Sequence, residues 1–95
     1  MELSISEEAA KWYKDELIIE NNAQIRFFVR YGGIGGHIPG FSLGIKFDIP
    51  EETHASTTID NITFFIESAD AWYFDGKDLQ ITLSKDTGEP DFSYI

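Results

Sequence analysis

The chain has 95 residues, with seven Lys and Arg against 17 Asp and Glu, a net charge of −10 and no cysteine. That length favours one domain. The acidity argues against nucleic acid and anionic membranes, whose binding calls for a basic stripe, and with no cysteine there is no disulfide, thiolate nucleophile or cysteine-held cluster to consider.

Eight Phe, four Tyr and two Trp can fill a modest core. The opening MELSISEEAA has neither the basic start nor the apolar stretch of a signal peptide. No apolar run approaches the ~18 residues of a membrane span. A soluble, cytoplasmic protein is the expectation.

In chain order, ELSI reads as a short strand. Ser6 is a good N-cap, and Glu7 and Glu8 suit the first helical turn. The spacing predicts an amphipathic helix over residues 6–20, with Ala10, Tyr13 and Leu17 on one face and Trp12 and Ile19 beside it. Asn21 and Asn22 are read as its stop. QIRFFVRY then alternates, with Ile25, Phe27, Val29 and Tyr31 opposed to Gln24, Arg26, Phe28 and Arg30. FSLGIKFD alternates too, with Phe41, Leu43, Ile45 and Phe47 opposed to Ser42, Gly44, Lys46 and Asp48. Period two predicts half-buried strands. TTIDNITFFIE predicts a hairpin turning at Asp60-Asn61. SADAWYF predicts a short second helix closed by Asp75-Gly76. DLQITLS predicts a strand with Leu79, Ile81 and Leu83 inward, and KDTGEPDFSYI a turn followed by a loose or edge segment. The fold class is therefore mainly β (α+β by content). It is read as a compact β-sheet domain over residues 1–95, with an N-terminal amphipathic helix and a short second helix.

Between the two long strands lies GGIGGHIPGF, with Gly32, Gly33, Gly35, Gly36 and Gly40 around His37, Ile38 and Phe41. The loop ends Gly40-Phe41-Ser42, so it is not a phosphate-binding Walker loop, and no long helix follows it as a dinucleotide fingerprint needs. It is read either as a wide strand connection in which glycines supply positive φ, or as a backbone that approaches a partner. Ile34, Ile38 and Pro39 give it an apolar tip. Arg26 and Arg30, on one strand face, could contact an anion or pair with the chain's own carboxylates. His37 and His54 would need carboxylates such as Asp48, Glu51 or Glu52 to hold a metal, at no compact spacing. Asp86, Glu89 and Asp91 lack the calcium-loop pattern. The acidic pairs Glu7-Glu8, Asp15-Glu16 and Glu51-Glu52 read as solvated faces. No serine–histidine–aspartate order stands out, so no catalytic residue, cofactor or metal is assigned.

Three blocks, taken in order, resemble the HesB/IscA-type family of A-type iron–sulfur carrier domains. They are ISEEAAKWYKDEL, then IRFFVRYGG with GFSLGIKFD, then FFIESADAWYFDGKDLQI. The resemblance implies a HesB/IscA-like fold. Carriers of that family hold their cargo with three cysteines. Aligned on Gly40-Phe41, the first position is Ile38 here, and the paired Cys-Gly-Cys would lie beyond Ile95. What the resemblance implies is a cysteine-less binding or adaptor module associated with iron–sulfur cluster assembly, docking onto a protein partner from that machinery through the loop. A second copy of the chain stands as a further partner. The alternative is a small anionic ligand-binding protein or enzyme using the loop with Arg26, Arg30 and His37.

Overall fold

A computed structural model describes residues 1–33 and 36–95. Ile34 and Gly35 lie outside the described residues. The elements are β1 (Leu3–Ile5), α1 (Glu7–Leu17), β2 (Gln24–Tyr31), β3 (Phe41–Phe47), β4 (Thr53–Ile59), β5 (Ile62–Glu67), a 3-10 turn at Ser68–Asp70 running into α2 (Ala71–Phe74), β6 (Leu79–Leu83) and β7 (Pro90–Tyr94). Four strands form one sheet in the order β3-β2-β5-β4, and three form a second in the order β1-β6-β7. The α+β class and the mainly-β content match the expectation. The tail forms a regular strand, antiparallel to β6 with Leu79 opposite Tyr94.

The Ser6 hydroxyl accepts the Ala9 N–H at 3.1 Å and starts α1 as expected. The helix stops at Leu17, earlier than Asn21-Asn22. Ile18 takes a left-handed conformation, φ 52°; its N–H donates to the Lys14 carbonyl, and the Ile19 N–H donates to the same carbonyl at 3.0 Å. The turn leaves Ile18 85% exposed and buries Ile19. Burial of the second isoleucine offsets a conformation that a β-branched residue resists. Replacing Ile18 by Gly should therefore stabilise the domain by roughly 0.5–1 kcal/mol, because the turn is kept and its strain removed. Chemical denaturation of the variant checks this.

Asp60 and Asn61 both have positive φ, 54° and 61°, as a two-residue hairpin between right-twisted strands requires. β2 is the hub of its sheet, antiparallel to β3 and parallel to β5. Its alternation places Ile25 and Phe27 in the core, fully buried, while Tyr31 at its end projects past the core into solvent. Phe27 stacks on Phe64 with ring centroids 5.9 Å apart, and Tyr13 of α1 and Phe92 of β7 close on Phe27 edge-on. Ala9 and Ala10 give α1 a thin face that lets it lie close to the core. Phe65, on the opposite face of β5 in register with Arg26, is fully buried outside the main core cluster.

Candidate interaction site

The glycine loop closes β2 onto β3. Its neck is held by the Gly32 N–H, which donates to the Gly40 carbonyl at 2.7 Å. The buried Ser42 hydroxyl donates to the Gly32 carbonyl at 2.9 Å and accepts from Arg30 Nε at 3.1 Å. Gly40 has φ 86°, a value that favours glycine. Gly36 is needed for a different reason. A Cβ there would strike the Phe41 carbonyl oxygen and lie 2.7 Å from the Tyr73 hydroxyl.

The far side of the loop is pinned from elsewhere in the chain. The His37 N–H donates to the Tyr73 hydroxyl at 2.6 Å. The His37 ring stacks on Tyr94, centroids 4.8 Å apart and planes 20° from parallel, and meets Tyr73 edge-on. Burial pushes the Tyr94 phenol well above its ordinary pKa. Ile38 is half-buried and packs against the core, while Pro39 and Gly40 are exposed.

Beside the loop neck stand three aromatic rings. Tyr31 is 91% exposed and Trp72 is 55% exposed. Phe41 lies between them, edge-on to Tyr31 at 5.5 Å and to Trp72 at 5.3 Å. The end of β2, the start of β3 and α2 each contribute one ring. The short helix is positioned by its buried residues, Tyr73 and Phe74, which leave Trp72 facing solvent. Phe41 stands out in the sequence as a site residue, whereas Trp72, Tyr73, Tyr94 and Ser42 do not. The adjacency of Trp72 and Tyr73 in a four-residue helix was the available signal, since only part of such a short helix can face the core.

Arg26 and Arg30, though on one face, do different work. Arg26 donates to Asp48 at 3.1 Å and to Asp70 at 2.9 Å, the latter pair largely buried. Burial works against the Arg26 charge, but its hydrogen bonds to Asp70 and Asp48 outweigh that and raise its pKa. The Ile49 N–H, and then Arg26, hold the Asp48 carboxyl below its ordinary value of 3.8. Because the folded state keeps Asp48 ionised to lower pH than the unfolded state does, its contribution is present above pH 3.8 and is lost as pH falls through the depressed value. An Asp48→Asn variant should accordingly lose less stability than the parent as pH falls below 3.8, as followed by denaturation at decreasing pH.

His54 and the pair Glu51-Glu52 are exposed, and the Glu51 and Glu52 N–H groups serve the buried Glu67 carboxylate at 2.9 and 2.7 Å. His37 packs among aromatic rings rather than carboxylates. Asp86, Glu89 and Asp91 lie exposed about the β6–β7 turn. Among the described residues no three His, Asp or Glu converge on a common point. Among them, too, no helix is long and apolar enough to cross a membrane.

Together these features define a small α+β domain that presents an aromatic surface beside a pinned glycine loop. No family model matches the chain. It is 50% identical over 94 residues, 99% of each chain, to a Bacillus subtilis protein named pyruvate dehydrogenase inhibitor. It is 34% identical to an uncharacterised protein of Staphylococcus saprophyticus and 32% identical to one of Staphylococcus aureus, in each case over 99% of this chain and 97% of the relative. The chain belongs to the family these full-length relatives form.

The Bacillus relative's name corrects the functional expectation. An adaptor of iron–sulfur cluster assembly is not what a full-length relative at this identity is named for. The expected iron–sulfur association rested on likeness of scaffold, and a scaffold carries no function by itself. The alternative, a site for a small anion or a reaction built on Arg26, Arg30 and His37, falls with it. Arg26 is occupied by Asp48 and Asp70 and His37 stacks on Tyr94, which leaves Arg30 alone of the three.

Proposed function

We propose that this protein binds and inhibits a pyruvate dehydrogenase, and that the contact is made by the aromatic rings of Tyr31, Phe41 and Trp72 together with the exposed side of the glycine loop. The observation that carries the reading is the full-length 50% identity to a protein named for that activity. The surface supports it. Tyr and Trp are favoured anchors at protein interfaces, and large rings held in the open at the end of a sheet and on the short helix beside it are poor choices for solubility alone. The loop residues Gly32, Gly33, Gly35, Gly36, His37, Ile38, Gly40 and Phe41 are proposed as the rim of this contact. The protein is placed in the cytoplasm, in keeping with its lack of cysteine.

The likeness to HesB/IscA-type domains is proposed for the scaffold only. It is supported by the order of strand, helix, strand, glycine loop and strand, and by the α2 end at Asp75-Gly76. The functional reading is tested by titrating the purified protein into a purified pyruvate dehydrogenase from the same cell and following pyruvate oxidation. A saturable fall in rate that tracks complex formation supports it. An unchanged rate with the protein in large excess defeats it.

A further inference from the structure

The four-stranded sheet ends at β3, and two hydrogen bonds fix how that edge is turned. The Gly32 N–H donates to the Gly40 carbonyl and the Asp48 N–H to the Gln24 carbonyl. Between them the ladder pairs Arg30 with Ser42, Phe28 with Gly44 and Arg26 with Lys46. Bonded and non-bonded positions alternate along an antiparallel pair. The even-numbered residues of β3 therefore face β2 with their backbone groups, and Leu43, Ile45 and Phe47 turn theirs outward. Among the described residues no strand covers that row. Asp48 Oδ1 accepts the Ile49 N–H at 2.8 Å and ends it.

Sheet edges in stable proteins are normally blunted. Here β4 carries a register shift between Thr53 and Ala55, β7 opens on Pro90, and β1 is three residues long. β3 is seven residues long, pairs with β2 without irregularity and contains no proline. Its inner side chains are all apolar, from Phe41 to the exposed Phe47.

We propose that the free edge of β3 receives an extended segment of a partner protein in which apolar residues alternate with acidic ones. The inference goes beyond the aromatic surface and does not depend on which enzyme the protein inhibits. Strand addition of this kind draws affinity from main-chain bonds and selectivity from alternate side chains. The outer face supplies that selectivity. Arg30 and Lys46 flank Gly44, which has no side chain. A Cβ at Gly44 would lie 2.6 Å from Phe28 Cζ and 3.1 Å from Arg30 Cδ, so the ring and the arginine stem form an apolar floor there. Lys46 Nζ sits 4.9 Å from the Phe28 ring centre and 3.9 Å from Asp48 Oδ2, a loose and exposed pair. A carboxylate opposite Gly44 would rest on that floor between the Arg30 guanidinium and the Lys46 ammonium, drawing the latter from its exposed pair with Asp48.

A second copy of the chain fits poorly. Two-fold pairings centred on Gly44, Ile45 or Lys46 satisfy the outward backbone groups, but they bring Lys46 of one copy against Ser42 and its Arg30, against the gap between Arg30 and Lys46, or against Lys46 itself. The last opposes like charges directly, which destabilises a strand pair, and the first two set Lys46 near the other copy's Arg30.

The experiment uses the full chain, isotopically labelled, and two synthetic peptides of β3's length, one alternating valine with glutamate and one alternating valine with lysine. Amide NMR signals are followed during titration to ~1 mM peptide. The valine–glutamate peptide should shift the Leu43, Ile45 and Phe47 amides in a saturable way, and the valine–lysine peptide should bind at least about tenfold more weakly. Lys46→Glu, an exposed change, should weaken the first peptide by about tenfold. Ile45→Pro removes an outward N–H while sparing the β2 ladder, and should abolish binding in protein shown by circular dichroism to be folded. The absence of saturable shifts on β3, equal binding of both peptides, or concentration-dependent dimerisation through β3 would overturn the proposal.

Discussion

Replacing Tyr31 and Trp72 together by Ala should weaken binding to pyruvate dehydrogenase by roughly thirtyfold or more, with matching loss of inhibition. Removal of a central aromatic anchor costs about 2 kcal/mol or more at an interface, and about 1.4 kcal/mol is tenfold in affinity. The folded domain should tolerate the change. Tyr31 is almost fully exposed, and Trp72 touches the remainder mainly through edge contacts with Phe41 and Tyr73. A binding isotherm beside a thermal melt separates the two effects. Unaltered affinity in a folded double variant would remove the aromatic rings from the contact.

The largest effect on stability is expected from Phe27→Ala. Phe27 is fully buried, stacks on Phe64, and is met edge-on by Tyr13 and Phe92. It therefore joins α1, β2, β5 and β7 in one contact. Truncation removes the ring's transfer energy and leaves a cavity among aromatics that cannot all collapse into it, at a cost of about 3–5 kcal/mol. A domain of this size has roughly 5–14 kcal/mol in total. The variant should melt about 20 °C lower or fail to fold, since each kcal/mol is worth several degrees in so small a domain. A thermal melt within a few degrees of the parent would contradict this account of the core.

The elements were legible because their signals are local. Alternation in QIRFFVRY and FSLGIKF, a capping serine before two glutamates, and an Asp-Asn turn each act through near neighbours. The early end of α1 was not legible, because it depends on which of Ile18 and Ile19 finds a place in the core, a tertiary matter. The loop was legible as a connection but not as a pinned one. Its anchors, Tyr73 and Tyr94, are distant in sequence, and the tail bearing Tyr94, though Pro90, Phe92 and Tyr94 alternate with Asp91 and Ser93, follows a polar turn and opens on a proline, which hides it as a strand. Arg26 illustrates the same limit. Its position opposite the core was readable, but its partner Asp70 is brought to it only by the parallel pairing of β2 with β5. The function was least legible of all. The aromatic surface is assembled from three separate elements, and no local pattern in the chain marks them as one surface.

Hydrogen–deuterium exchange of the protein, alone and bound to pyruvate dehydrogenase, tests the central claim most directly, because it reports where the contact falls without altering the chain. Exchange should slow on binding at residues 30–33, 36–42 and 71–74, with α1 and the β4–β5 hairpin unchanged. Protection confined to α1 or to the β4–β5 hairpin, or no change anywhere under conditions where the enzyme is inhibited, would contradict it.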